Sequence, residues 1–174
     1  MFQLIATLCA VALVAADQGI KSWAVSALSS GNDITLIDGA LYLHYVENTG
    51  AAFSIFQGHR WPLVVITSVL ILAVLGAFLS GKVTNKLYIT TLSLIMAGGV
   101  GNLIDRMTRG FVVDYIDFRL INFAVFNLAD ACITVGTILL CGAIIMSDIK
   151  RTRPKAPSPE TQEKVSEKRE QENG

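Results

Sequence analysis

Residues 61–79, WPLVVITSVLILAVLGAFL, run for nineteen positions without a charge. Crossing a bilayer core takes about 20 mostly apolar residues of helix. Within lipid the backbone must satisfy its own hydrogen bonds, and a helix does so inside one segment. This run is therefore a membrane-spanning helix, with Pro62 placed in its first turn. Three further runs are long enough to join it. One covers Phe2–Leu28 and is interrupted by Asp17 and Lys21; the others are 87–104 and 123–146. A chain that is 52% apolar, with mean hydropathy +0.53, fits such a bundle better than an ordinary soluble domain.

The joints between the runs are short, apart from the stretch at about 29–60. Val14-Ala15-Ala16 offers a cleavage-like spacing, but no Lys or Arg precedes the first apolar run. A secretory leader normally carries one there. That run is read as a retained span. From Lys150 onward the composition changes: seven basic and five acidic residues and three prolines, with almost no large apolar side chain. Residues 150–174 are expected to be a disordered, solvated tail.

Cys9, Cys132 and Cys141 lie in apolar runs, an odd count without paired spacing. Neither a disulfide framework nor a zinc site is indicated. His44 and His59 match no metal-binding spacing and are read as solvated or locally bonded.

Four spans put both termini on one side. With the termini in the cytoplasm, Lys82, Lys86, Lys150, Arg151, Arg153 and Lys155 lie inside, against Lys21, Arg60, Arg106, Arg109 and Arg119 outside or at that interface. Six against five is a weak vote for this orientation under the positive-inside rule. Span parity alone yields a firmer result. At 1.5 Å per residue Asp17 lies roughly 20–25 Å along the first helix. The third helix rises to Asn102, Asp105 and Arg106, and the fourth descends from Asn127 and Asp130. Every intramembrane polar cluster thus falls at one depth, on one side. Ionisable groups there cost about 2.5–3.5 kcal/mol at a helix centre and call for named partners.

Asp17 and Lys21 form an i, i+4 pair that can neutralise itself on one helix face, as support or as chemistry. In GGVGNLIDR, residues 98–106, the glycines permit close helix approach, and Asn102 and Asp105 share a face. Asp105 is expected to be held ionised by the adjacent Arg106. GFVVDYIDF, residues 110–118, reads as a short extended run, so only one of Asp114 and Asp117 can face a given side. Asn127 is expected to cap the fourth helix while Asp130 points into the bundle. If Asp114 and Asp130 meet in an apolar setting they must share a proton, which supplies one general base and one general acid. A proton or ion relay and purely structural polar pairs remain open beside that dyad.

Five motifs in order resemble the bacterial lipoprotein signal peptidase, or signal peptidase II, family: DQGIK at 17–21, NTGAAFS at 48–54, GGVGNLIDR at 98–106, VVDYID at 112–117 and FNLAD at 126–130. The resemblance implies an intramembrane aspartic endopeptidase. It would act on prolipoproteins whose lipobox cysteine carries diacylglycerol, cutting just before that cysteine. It assigns catalysis to Asp114 and Asp130. Support and substrate binding fall to Asp17, Lys21, Asn48, Gly50, Asn102, Asp105, Arg106 and Asn127. It implies binding of globomycin and myxovirescin, contact with membrane lipids, no metal or organic cofactor and no nucleic-acid partner. A monomer in the bacterial inner membrane is expected.

The stretch 34–56 is β-rich, with turn signals at Asp38-Gly39 and Thr49-Gly50. The family places a small β-sheet cradle and an outer amphipathic helix there. The expected fold is mainly α, with four transmembrane helices and a small extracytoplasmic β-sheet. Residues 1–149 would form the peptidase domain and 150–174 the cytoplasmic tail. A small transporter or proton channel using the same acids is the rival function, although such sites usually lie near the midplane between repeats and no repeat is visible. A non-enzymatic membrane scaffold is a second rival.

Overall fold

The computed structural model describes residues 1–50, 58–121 and 123–152. Its elements in order are α1 (Phe2–Leu28), β1 (Ile34–Ile37), β2 (Leu41–Asn48), α2 (Arg60–Leu79), α3 (Lys86–Thr108), β3 (Val112–Phe118), a 3-10 turn (Arg119–Ile121) and α4 (Leu128–Thr152). The fold is mainly helical, as expected. Among the described residues four helices are long and apolar enough to cross a membrane: Phe2–Leu28, Arg60–Leu79, Lys86–Thr108 and Leu128–Ile149. The chain divides into two compact units, Met1–Ala143 and Ile144–Gly174. The second contributes only the last turns of α4 to the described residues. The tail from residue 153 and the AAFS end of the NTGAAFS motif lie outside them, as does the end of the stretch where the amphipathic helix is expected.

Most helix surface is apolar and exposed. Val65, Val69, Leu70 and Leu72 of α2 and Ile138, Ile144 and Ile145 of α4 are examples. In water such faces would be a liability; in a bilayer lipid covers them. Two spans differ from the sequence-based bounds. The third continues to Thr108, so Asp105 and Arg106 stand on its last turns. It stops where Gly110 takes φ +90° and its N–H returns to the Asp105 carbonyl at 3.2 Å. The fourth begins five residues later than the apolar run, because Phe126 is held in an extended pairing with Ile116.

The three strands form one antiparallel sheet in the order β1-β2-β3. Gly39, at φ +72°, makes the turn between β1 and β2 that its Asp-Gly pair foretold. Where β2 meets β3, Val46 lies opposite Asp114 and Asn48 opposite Val112, after a bulge between Leu43 and Val46. The sheet rests on the end of α1: Ala24 and Leu28 pack against Val113 and Tyr115 in a buried apolar cluster. This contact ties β3, and the aspartate it carries, to the end of the first helix.

Candidate active site

Asn48 and Asp114 are diagonal neighbours on one face of the β2–β3 pair, within reach of each other. Asn48 Nδ2 donates to Asp114 Oδ2 at 2.8 Å. Asn127 Nδ2 donates to the other oxygen, Oδ1, at 2.6 Å. Strand alternation sends Asp117 elsewhere, where its carboxylate accepts from Arg119 Nε at 2.6 Å. Of the two strand acids, Asp114 is the one that joins the polar cluster.

Asn127 immediately precedes α4 and caps it. Its Oδ1 accepts from the Asp130 backbone N–H at 2.9 Å, and Asp130 Oδ2 accepts from the Asn127 N–H at 3.3 Å. This reciprocal pair is a capping box. The remaining free donors of the first turn are also met. Leu128 N–H donates to Tyr115 Oη at 3.3 Å, and Ala129 N–H to Asp17 Oδ1 at 3.1 Å. In lipid an unmet backbone donor costs several kcal/mol, so this helix start is fixed by necessity. Asp130 sits in that first turn, half-buried, and its Oδ1 accepts from Asn102 Nδ2 at 2.7 Å.

Lys21 lies at the centre of a second network. Its Nζ is 2.9 Å from Asp17 Oδ2, 3.0 Å from Asp105 Oδ2 and 2.9 Å from Asn102 Oδ1. The expected Asp17–Lys21 pair is therefore present, but it is part of a larger unit. Asp105 makes direct ion pairs with Lys21 and, at 3.3 Å, with Arg109, while the expected Arg106 interacts with it through its charge. Adjacent helical residues diverge by about 100°, whereas Arg109 is one turn on. Arg106 instead donates to the Gly50 carbonyl at 2.8 Å, and Gly50 N–H donates to Asn48 Oδ1 at 2.9 Å. Arg106 and Asn48 thus both hold the chain at Gly50.

The glycines make this convergence possible. A Cβ on Gly98 would lie 2.2 Å from the Ala129 carbonyl oxygen, and one on Gly101 2.6 Å from Asp17 Oδ2. Gly99 faces α2, where a Cβ would meet Ile71 at an ordinary 3.5 Å. Gln18 is a site residue that sequence reasoning missed. Its Nε2 donates to Asp17 Oδ2 at 3.2 Å, the Gly101 carbonyl at 3.1 Å and Asp105 Oδ1 at 3.3 Å. Its signal was an uncharged polar residue beside an intramembrane acid. His44 pairs with Asp33 at 2.6 Å on the exposed part of the sheet, and His59 precedes α2.

All ten residues singled out in the sequence converge here through direct contacts. Burial first, and then the neighbouring charge of Asp130, push the Asp114 carboxyl up to about 7 against the opposing effects of Asn48, Asn127 and Lys21. A carboxyl that keeps its proton near neutrality beside a second one can share a proton with it, which equips the pair for acid–base chemistry on water.

Comparison with known proteins shows the family to which the chain belongs. Residues 9–146 match the family described as signal peptidase (SPase) II. The chain is 38% identical over 145 residues to the lipoprotein signal peptidase of Lactococcus lactis subsp. lactis strain IL1403, covering 83% of this chain and 96% of that one. It is 40% identical over 130 residues to that of Streptococcus thermophilus strain CNRZ 1066, covering 75% and 85%. Against that of Clostridioides difficile strain 630 the identity is 38% over 143 residues, covering 80% and 94%. Two solved structures described as bacterial membrane enzymes, determined in meso at 2.3 and 1.9 Å resolution, superpose with TM-scores of 0.77 and 0.72. Their identities are 29% and 33%; the first covers 88% of this chain and 94% of its own, the second 80% and 92%.

Proposed function

This chain belongs to the signal peptidase II family and is a membrane protease, and from that premise we propose that it is an aspartic endopeptidase in which Asp114 and Asp130 form the catalytic dyad. Its substrates are prolipoproteins carrying diacylglycerol on the lipobox cysteine, and the bond cut is the one just before that cysteine. The observation that carries this reading is the binding of both carboxyl groups by one buried residue, Asn127.

The dyad holds one proton. The ionised carboxylate takes a proton from a water molecule, whose oxygen attacks the scissile carbonyl carbon. The protonated partner gives its proton to the carbonyl oxygen. When the tetrahedral intermediate collapses, the C–N bond breaks, one carboxyl group protonates the leaving amine, and the ionised carboxylate takes a proton from a hydroxyl of the intermediate as the new carbonyl forms, which leaves one proton on the dyad. The roles then exchange, and neither residue is acid or base permanently, because a coupled pair titrates as a unit. Asn48, Asn102 and Asn127 orient the two side chains. Arg106 holds the Gly50 carbonyl, two residues beyond Asn48.

Both termini face the cytoplasm and the site lies near the outer face of the inner membrane. A lipid-anchored substrate then reaches it sideways from the bilayer, the geometry its diacylglycerol requires. Residues 1–149 constitute the catalytic domain, and the enzyme works as a monomer. Globomycin-type inhibitors occupy the same site.

The test is cleavage of a diacylglyceryl preprotein, and of its unlipidated form, by purified Asp114→Asn and Asp130→Asn enzymes. Both folded variants are expected to lose activity, and the parent enzyme is expected to prefer the lipidated substrate. Wild-type cleavage by either variant overturns the proposal.

A further inference from the structure

Asp17, Lys21 and Asp105 are 2%, 0% and 0% exposed. Burying three ionised groups costs several kcal/mol per ion, and well-packed apolar residues often serve stability equally well. The triad's contacts supply another reason to keep it. Asp105 Oδ2 accepts the backbone N–H of Val113 at 3.1 Å, and Val113 immediately precedes Asp114. Asp17 Oδ1 accepts the N–H of Ala129 at 3.1 Å, and Ala129 immediately precedes Asp130. One carboxylate therefore grips the chain a single residue ahead of each member of the dyad, and Lys21 Nζ joins the two grips. Its remaining contact, Asn102 Oδ1, leads through Asn102 Nδ2 to Asp130 Oδ1.

These partners come from four elements: Asp17 and Lys21 from α1, Asp105 and Asn102 from α3, Val113 from β3 and Ala129 from α4. β3 and α4 reach the site from different parts of the chain, and their spacing is set where both are tied to the same ion cluster. Gln18 closes the cluster, since its Nε2 reaches both Asp17 and Asp105.

We propose that the Asp17–Lys21–Asp105 triad is a positioning device that sets the separation of Asp114 and Asp130 through the backbone, with Lys21 as its central positioning residue. This rests on the aspartic reading given above. Lys21 touches neither dyad carboxyl, so its effect on turnover passes through the two arms and through Asn102. It also acts by its charge: the charged groups around Asp114 are Asp130 from α4, Arg106 from α3 and Lys21 from α1, and Lys21 holds the Asp114 carboxyl lower than it would otherwise lie.

The experiment compares Lys21→Met with the parent enzyme on a diacylglyceryl preprotein, measuring kcat, KM and the pH profile. A displacement near 1 Å at reacting groups costs about 100-fold, so kcat is expected to fall on that order while KM changes by less than about threefold. The alkaline limb of kcat should move to higher pH, because the charge that favours the ionised Asp114 is gone. Lys21→Arg keeps the charge and should restore the position of that limb. If Lys21→Met does not fold, the Asp17→Asn/Lys21→Met/Asp105→Asn variant removes all three fully buried charges, leaves only the part-exposed Arg109 without its carboxylate, and carries the kcat and KM comparison. A folded variant with parental kcat overturns the positioning role. If Asp114→Asn or Asp130→Asn retains parental activity, the aspartic reading itself fails and takes this proposal with it.

Discussion

Asn127 donates its side-chain N–H to Asp114 Oδ1 at 2.6 Å, and does so from the cap of the helix whose first turn carries Asp130. One residue thus links the start of a membrane helix to a strand acid. Replacing it separates capping from chemistry. Asn127→Ala loses both, and cap removal alone costs roughly 1 kcal/mol. Asn127→Asp keeps a capping oxygen but places a third carboxyl against the dyad. The expected outcome is a lowered Tm for Asn127→Ala, and loss of cleavage by at least about 100-fold in both, since misplaced reacting groups cost that much. Thermal unfolding in detergent and cleavage of a lipidated substrate check it.

Asp114 predicts an unusual pH dependence of stability. Its carboxyl is raised from an ordinary 3.8 to about 7 by burial, then by the Asp130 charge. The folded protein therefore binds this proton more tightly than the unfolded chain. As pH rises from about 4 the unfolded chain ionises first, and the fold loses stability until the folded group has ionised near 7. Asp114→Asn removes this penalty. Its Tm advantage over the parent should be small near pH 4.5 and largest at pH 8, by thermal unfolding in a constant detergent.

The same shift bears on activity. A dyad that must hold one shared proton loses turnover as that proton leaves, so kcat should fall on the alkaline side as pH passes about 7. A rate profile between pH 4 and 9 on the lipidated substrate tests this, and a flat profile through 7 counts against the shared proton.

The two adjacent glycines of GGVG, Gly98 and Gly99, should differ sharply. A methyl on Gly98 meets the backbone oxygen of Ala129, which no rotamer change can move. Gly98→Ala should cost about 1–3 kcal/mol as overpacking and shift Asp130 with its helix. Gly99→Ala meets only Ile71 at ordinary contact distance and should be close to neutral. Tm and cleavage rate in parallel membrane preparations distinguish the two.

Asp117 serves as the control for Asp114. Its largely buried carboxylate pairs with the exposed Arg119, itself tied to Asp33 at 2.7 Å. Neither contact touches Asp114, Asp130 or the groups that hold them. Asp117→Asn should keep cleavage within about twofold of the parent, while Asp114→Asn abolishes it. Equal loss in both would remove the distinction between the two faces of β3.

Much of this fold was legible because lipid leaves the backbone few options. Nineteen apolar residues at 61–79 had to be helical, and span parity brought Asp17, Asp105 and Asp130 to one depth. The turn at Asp38-Gly39 and the alternation of Asp114 and Asp117 followed from local geometry. The starting point of α4 did not. The apolar run begins at Phe123, yet Phe126 is paired with Ile116, and hydropathy cannot tell a helical from an extended apolar residue. The direct partners of Asp105 were not legible either. Arg106 acts on it through charge, while Lys21 reaches it from another helix and Arg109 from the next turn.

By itself the sequence determined the number of spans, their helical form and the shared depth of the polar residues. These depend on chain length, hydropathy and the cost of unpaired polar groups in lipid, all of which are local properties. Only the tertiary structure decided which strand acid enters the site, that Asn127 joins it to Asp130, and that Lys21 binds Asp17 and Asp105 together. Those facts depend on where β3, α1, α3 and α4 approach one another. That approach is set by small residues at Gly98 and Gly101, by the strand register and by the bulge in β2, whose effects appear only when distant segments meet.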